Sequence, residues 1–181
     1  MGKREIREQV FKLLFQVEFR EIEEMEEMSK LYFDIYSETI DEEDEVKLGE
    51  INKTREAASE KLNLILDKLS EIDALINSKD IGWSIDRFGK VELTLTRLAL
   101  YEMKFDEDVP EAVAINEAVE LAKKYTSDEG AKFVNGVLAQ FATDKNRTTS
   151  KGKRTSVKNP ELEQKKKRNA TIMTVKSKKE Q

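Results

Sequence analysis

Residues 114–141, AINEAVELAKKYTSDEGAKFVNGVLAQF, constrain the fold more than any other stretch, because they read as two helices and one tight connection. Ile115, Ala118, Val119 and Ala122 recur at i, i+3, i+4 and i+7, the period of a single helix face. Phe133, Val134, Val137, Leu138 and Phe141 draw a second stripe. Between them, Thr126-Ser127-Asp128-Glu129 has the form of a capping box. Thr126 would accept from the Glu129 amide, and the Glu129 carboxylate would reach back to the Thr126 amide. Asn116, Glu117, Lys132, Asn135 and Gly136 stand beside these stripes. Helix propensity alone does not account for Asn and Gly in mid-helix.

The same period runs upstream. Residues 3–20 form a first helix, with Ile6, Val10, Leu13, Leu14 and Val17 on one side. A second is expected over about 25–39, with Leu31, Ile35 and either Tyr32 or Tyr36 facing inward. A long third helix over about 44–68 carries Ile51, Ala58, Leu62, Ile65, Leu66 and Leu69. A short fourth spans 70–80, with Ser70 as its cap. A fifth covers about 86–105, with Val91, Leu95, Leu98, Ala99 and Met103 inward. Trp83, the single tryptophan, reads as a packing anchor, and DEEDE at 41–45 as a solvated connection or helix start. Pro110 cannot continue a helix but can open the next one. These patterns predict an all-α bundle of about seven helices over residues 1–143.

Seven Gly and two Pro are too few for a turn-rich sandwich or barrel. No Cys and no His are present, which removes thiolate sites, disulfides, the commonest general base and the commonest zinc ligand. None of the Gly-rich phosphate loops, nucleophile elbows or paired-His helix motifs of enzymes occurs. The expectation is a non-enzyme with no cofactor or metal. No run of 18 apolar residues and no leader-like segment appears, so a cytoplasmic protein is expected. Charge is unevenly spread: residues 145–181 hold 13 Lys and Arg against 3 Asp and Glu, a net +10, which leaves −15 on the rest of a chain totalling −5. The segment 144–181 lacks an apolar period and reads as a disordered basic tail, suited to an anionic partner.

The opposite side of the first helix carries Arg4, Arg7, Phe11 and Phe15. Arginines supply charge for phosphates, and aromatic faces stack on unpaired bases. The two phenylalanines are also readable as core. Basic residues at a helix start oppose its dipole, which argues that Arg4 and Arg7 serve something other than local stability.

AINEAVELAKKY followed by KFVNGVL resembles the C-terminal signature of the NusB family. RLALYEM at 97–103, WSIDRFGKVE at 83–92 and the opening REIREQVFKLLFQVEF resemble that family too, in its order, over roughly residues 3–143. The resemblance implies an all-helical, non-catalytic fold that binds boxA-type RNA of rRNA operons as a heterodimer with ribosomal protein NusE, within the transcription elongation complex. It also leaves room for a homodimer. Carried over residue by residue, the RNA-facing set is Lys3, Arg4, Arg7, Phe15, Glu129, Lys132, Phe133 and Asn135. The partner-facing set is Asp86, Arg87 and Glu92. Glu129 stands where the family often has Asp, and Ala131 where His or Ser is common. Alternatives stay open: a stand-alone RNA-binding module in rRNA maturation or small-subunit assembly, the module attached to some rRNA cytosine methyltransferases, and a helical interaction domain without RNA.

Overall fold

The computed structural model describes residues 2–38, 45–78 and 84–143. Among them are six α-helices: α1 Lys3–Leu14, α2 Met25–Glu38, α3 Glu45–Ile76, α4 Lys90–Phe105, α5 Glu111–Tyr125 and α6 Asp128–Phe141. Short 3₁₀ turns occupy Phe15–Glu18, Ile22–Glu24 and Ile85–Arg87, and no strand occurs among the described residues. The expected roles of Trp83, of most of the acidic stretch at 41–45 and of the basic segment after Thr143 lie outside the described residues.

Among the described residues the expected count of about seven helices becomes six, because the helices expected at 44–68 and 70–80 run on as one through Ile76. Leu62, Ile65, Leu69, Ile72 and Ile76 continue a single buried stripe through Ser70, and no Gly or Pro interrupts it. Ser70 is an exposed mid-helix residue rather than a cap. At its other end, the helix expected from 86 starts at Lys90, with Gly89 as its N-cap.

Two local assignments also change. Ser127, not Thr126, caps α6: its Oγ accepts the Gly130 amide at 3.2 Å. Thr126 is taken up as the C-cap of α5, its amide donating to the Ala122 carbonyl, so the cap moves one residue on. In α2, Leu31 and Ile35 are 49% and 55% exposed, whereas Met25 and Phe33 are 1% exposed. Both stripes of α2 are apolar in sequence. The one that turns inward carries Met25, Ser29, Tyr32, Phe33 and Tyr36, and its aromatic rings bury the larger area.

α4 is the central helix, packed against α1, α3, α5 and α6. Every residue from Leu93 to Met103 is buried. Fully burying a Leu or Ile side chain contributes about 1.5–3 kcal/mol, and α4 supplies Leu95, Leu98 and Leu100 at 1% exposure or less. Its buried polar groups are all satisfied. The Thr94 hydroxyl donates to the Lys90 carbonyl at 2.8 Å and the Thr96 hydroxyl to Glu92 at 2.7 Å, the back-bonding that lets threonine sit inside a helix. Arg97 forks onto Asp73 of α3 at 2.7 and 2.8 Å and also donates to Glu18.

α6 is clasped at its end. The Lys104 ammonium donates to the Phe141 carbonyl at 2.7 Å. The Glu111 carboxylate accepts both the Thr143 amide, at 3.1 Å, and its hydroxyl, at 2.9 Å. No helix among the described residues is long and apolar enough to cross a membrane.

Candidate nucleic-acid interface

Arg4 and Arg7 lie one turn apart on α1, yet the fold treats them differently. Arg7 is 5% exposed. Its Nε donates to both carboxylate oxygens of Glu102 on α4, at 3.0 and 2.9 Å. Glu102, 1% exposed, also accepts Lys61 of α3 at 2.5 Å, and Lys61 reaches Asp106 at 3.1 Å. Arg7, read from the sequence as serving something other than local stability, is thus a buried member of an interhelical ion-pair network. The helix start is its place in sequence, but the turn faces the interhelical seam.

Arg4 is 75% exposed along its side chain. Its Nε donates to both oxygens of Glu117 on α5, at 2.9 and 3.0 Å. The hydrogen bonds and charge of Glu117 push the Arg4 pKa upward. Glu117 is only 12% exposed and also lies 3.5 Å from Arg7 Nη1. Lys3, beside them, is exposed.

Along the next turns of α1 the surface becomes aromatic. Phe11 is buried, its ring 4.9 Å from that of Tyr125. Phe15 is half-buried, 6.3 Å from Phe11 and 5.3 Å from Phe19. Phe11, Lys12, Phe15, Gln16, Tyr32, Val91 and Tyr125 line an open groove of about 340 Å³. The two tyrosine hydroxyls are tied off behind it, Tyr125 on Glu8 at 2.5 Å and Tyr32 on Gln9. Glu8 holds three partners. Burial alone would raise its pKa, but hydrogen bonds from Lys124, Tyr125 and Lys12 outweigh burial and bring it down to about 2.

The C-terminal set sits around the start of α6. Glu129, Lys132 and Asn135 are exposed, and Phe133 is half-buried, edge-on to Phe88 at 4.9 Å. Glu92, from the first turn of α4, brings its carboxylate against the backbone here. A Cβ added at Gly130 would meet Glu92 Oε1 at 2.6 Å, and one at Gly89 would meet Oε2 at 2.2 Å. Both glycines thus make room for that carboxylate. Asp86 and Arg87 are exposed on the preceding 3₁₀ turn.

The fold accordingly brings together Glu92 with Gly130, and Phe88 with Phe133. Lys3 and Arg4 stand apart from Phe15, about 17–18 Å along the helix axis at roughly 1.5 Å per residue. The sequence pointed to no role for Lys12, Glu117, Lys124 or Tyr125, and to Tyr32 only as a candidate inward-facing residue. Lys-Lys-Tyr at the end of a helix, and a glutamate flanking an apolar stripe, carry no signal until a neighbouring helix supplies their partners.

The family model for the NusB family matches residues 4–143. The "Transcription antitermination protein NusB" of Agathobacter rectalis is 47% identical over 142 residues, covering 78% of this chain and 100% of that protein. The protein of the same name from Lachnoclostridium phytofermentans is 44% identical over 143 residues, covering 77% and 98%. Among solved structures, T. maritima NusB superposes with a TM-score of 0.62 at 37% identity, covering 80% of this chain and 92% of that one. A chain in the crystal structure of a plectonemic RNA supercoil gives 0.57 at 26% identity, covering 76% and 91%. On a family match over residues 4–143 and on relatives of this identity, the chain belongs to the NusB family.

Proposed function

We propose that the protein is an RNA-binding transcription antitermination factor, taking boxA-type RNA of rRNA operons as a heterodimer with ribosomal protein NusE in the cytoplasm. Its work is positioning and not catalysis. The observation that carries this reading is the junction at the start of α6. There the Glu92 carboxylate of the partner-facing set lies against Gly130, beside Glu129 of the RNA-facing set. RNA and protein partner then occupy adjoining surfaces, so each can strengthen the other's binding.

Lys3, Arg4, Lys132 and Asn135 offer exposed donors for phosphate and base edges, and Phe15 and Phe133 offer half-buried rings for stacking. Glu129 limits which base edges fit. Arg7 contributes from beneath, by fixing α1. Asp86, Arg87 and Glu92 face NusE. Residues up to 144 carry −15 and repel RNA at long range, so a basic partner offsets that repulsion, and the +10 of residues 145–181 adds sequence-independent attraction.

The test is a mobility-shift titration with boxA-type RNA and a scrambled RNA of equal length, with and without NusE. Tighter and more selective binding in the presence of NusE is expected. Equal affinity for both RNAs under all conditions, or no association with NusE by calorimetry, would sink the reading.

A further inference from the structure

Resting on the RNA reading of Arg4, we infer that Glu117 is a positioning residue: it fixes one edge of the Arg4 guanidinium so that the opposite edge is presented to an RNA phosphate. A guanidinium carries five donors in a planar fork and can bind two carboxylate- or phosphate-like groups on different edges. The Nε of Arg4 is spent on both oxygens of Glu117, at 2.9 and 3.0 Å, and Nη2 lies 2.8 Å from Oε1. Among the described residues no bond of Arg4 Nη1 accompanies these, and the side chain is 75% exposed. An exposed arginine ordinarily samples many rotamers and loses that freedom when it binds. Here the contacts with Glu117 restrict that freedom in the free protein.

The anchor is itself anchored. Glu117 is 12% exposed and sits 3.5 Å from Arg7 Nη1, and Arg7 is held at 3.0 and 2.9 Å by the buried Glu102. Charges therefore alternate from the surface inward: Arg4, Glu117, Arg7, Glu102, Lys61. Each anion lies between two cations, which keeps the Glu117 carboxylate from following Arg4 outward.

Simple electrostatics and this inference differ in sign. A carboxylate close to a phosphate repels it, so removing the Glu117 charge should tighten RNA binding if charge alone mattered. If positioning dominates, the same change loosens binding. The experiment is a salt titration of boxA-type RNA binding for Glu117→Gln, Arg4→Lys, Arg4→Ala and the Arg4→Ala/Glu117→Gln pair, each checked for folding by thermal unfolding. Arg4→Ala should weaken binding and lower the slope of log K on log salt by about 0.7, one phosphate contact on a single strand. Glu117→Gln and Arg4→Lys should each weaken binding roughly tenfold, the scale of one charge-assisted hydrogen bond, while keeping the slope, because the cation remains. Glu117→Gln should add nothing on the Arg4→Ala background.

Tighter or unchanged binding by Glu117→Gln overturns the inference while leaving the RNA reading intact. Unchanged binding by Arg4→Ala overturns the RNA reading of that residue and the inference with it. Should Glu117→Gln fail to fold, Arg4→Lys decides alone, since Arg4 is exposed and its replacement leaves the seam in place: full affinity in that variant overturns the inference.

Discussion

Beneath α1, Arg7, Glu102 and Lys61 form ion pairs nearly shut off from water. Along its outer edge, Arg4, Glu8, Lys12 and Lys124 form ion pairs that water reaches, with Lys124 57% exposed. The residue types are the same and the distances overlap. What differs is the cost of losing one partner. In the seam, removing a charge strands its neighbour in a low dielectric, whereas at the edge the neighbour is re-solvated. The seam therefore holds the helices in place, and the edge keeps its charged groups within reach of water.

The strongest way to break this comparison is Glu102→Ala. It leaves both Arg7 and Lys61 without their shared anion, and a loss of about 3–5 kcal/mol is expected in urea unfolding. Arg7→Ala should cost a similar amount. If either costs less than an exposed pair does, the seam is not dry and the contrast fails. The pair Arg7→Leu with Glu102→Met should recover much of the loss, because a hydrophobic replacement removes both buried charges together.

A smaller effect is expected at the edge, and it is readable through pH. Glu8, usually near 4.5, titrates at about 2 in the folded chain. A depressed carboxylate stabilises the fold above its unfolded pKa and loses that contribution as pH falls through the folded value. Stability should therefore decline between about pH 4.5 and pH 2. Glu8→Gln should remove on the order of 1–2 kcal/mol at neutral pH, after allowing for screening of its exposed lysines, and should flatten that part of the acid limb. Equal pH dependence in the variant and the parent would exclude Glu8 as its source.

The smallest effect sharpens the comparison at α6. A Cβ at Gly136 would meet no atom within 4 Å, whereas at Gly130 it would meet Thr126 Oγ1 at 1.8 Å as well as Glu92. Gly136→Ala should stabilise the free protein by about 0.5–1 kcal/mol, the ordinary helix gain. Gly130→Ala should instead displace Thr126 and Glu92 and gain nothing. Thermal midpoints of the two variants separate these cases.

Much of the fold was legible because its helices announce themselves by period. The stripes of α4, α5 and α6 are where the pattern 91–103, 115–122 and 133–141 places them. Ser70 misled because a cap residue and a solvated mid-helix serine look alike until the stripe is followed past it. Leu31 and Ile35 misled because α2 is apolar on two faces, and only the third dimension decides which one finds a neighbour. The site was legible as a list of residues but not as an arrangement. Arg4 and Arg7 are indistinguishable in sequence, and their fates are set by Glu117 and Glu102, more than 90 positions away.

The clasp at the end of α6 bears on how the molecule opens. A helix terminus commonly frays because its last carbonyls lack partners, and frayed ends exchange their amide protons through local openings of almost no free energy. Lys104 and Glu111 occupy the groups on which such an opening would start. The last turn of α6 is thereby tied to the ends of α4 and α5. Its amides should exchange with deuterium on the timescale of the helical core, and the last turn of α6 should resist proteolytic cleavage.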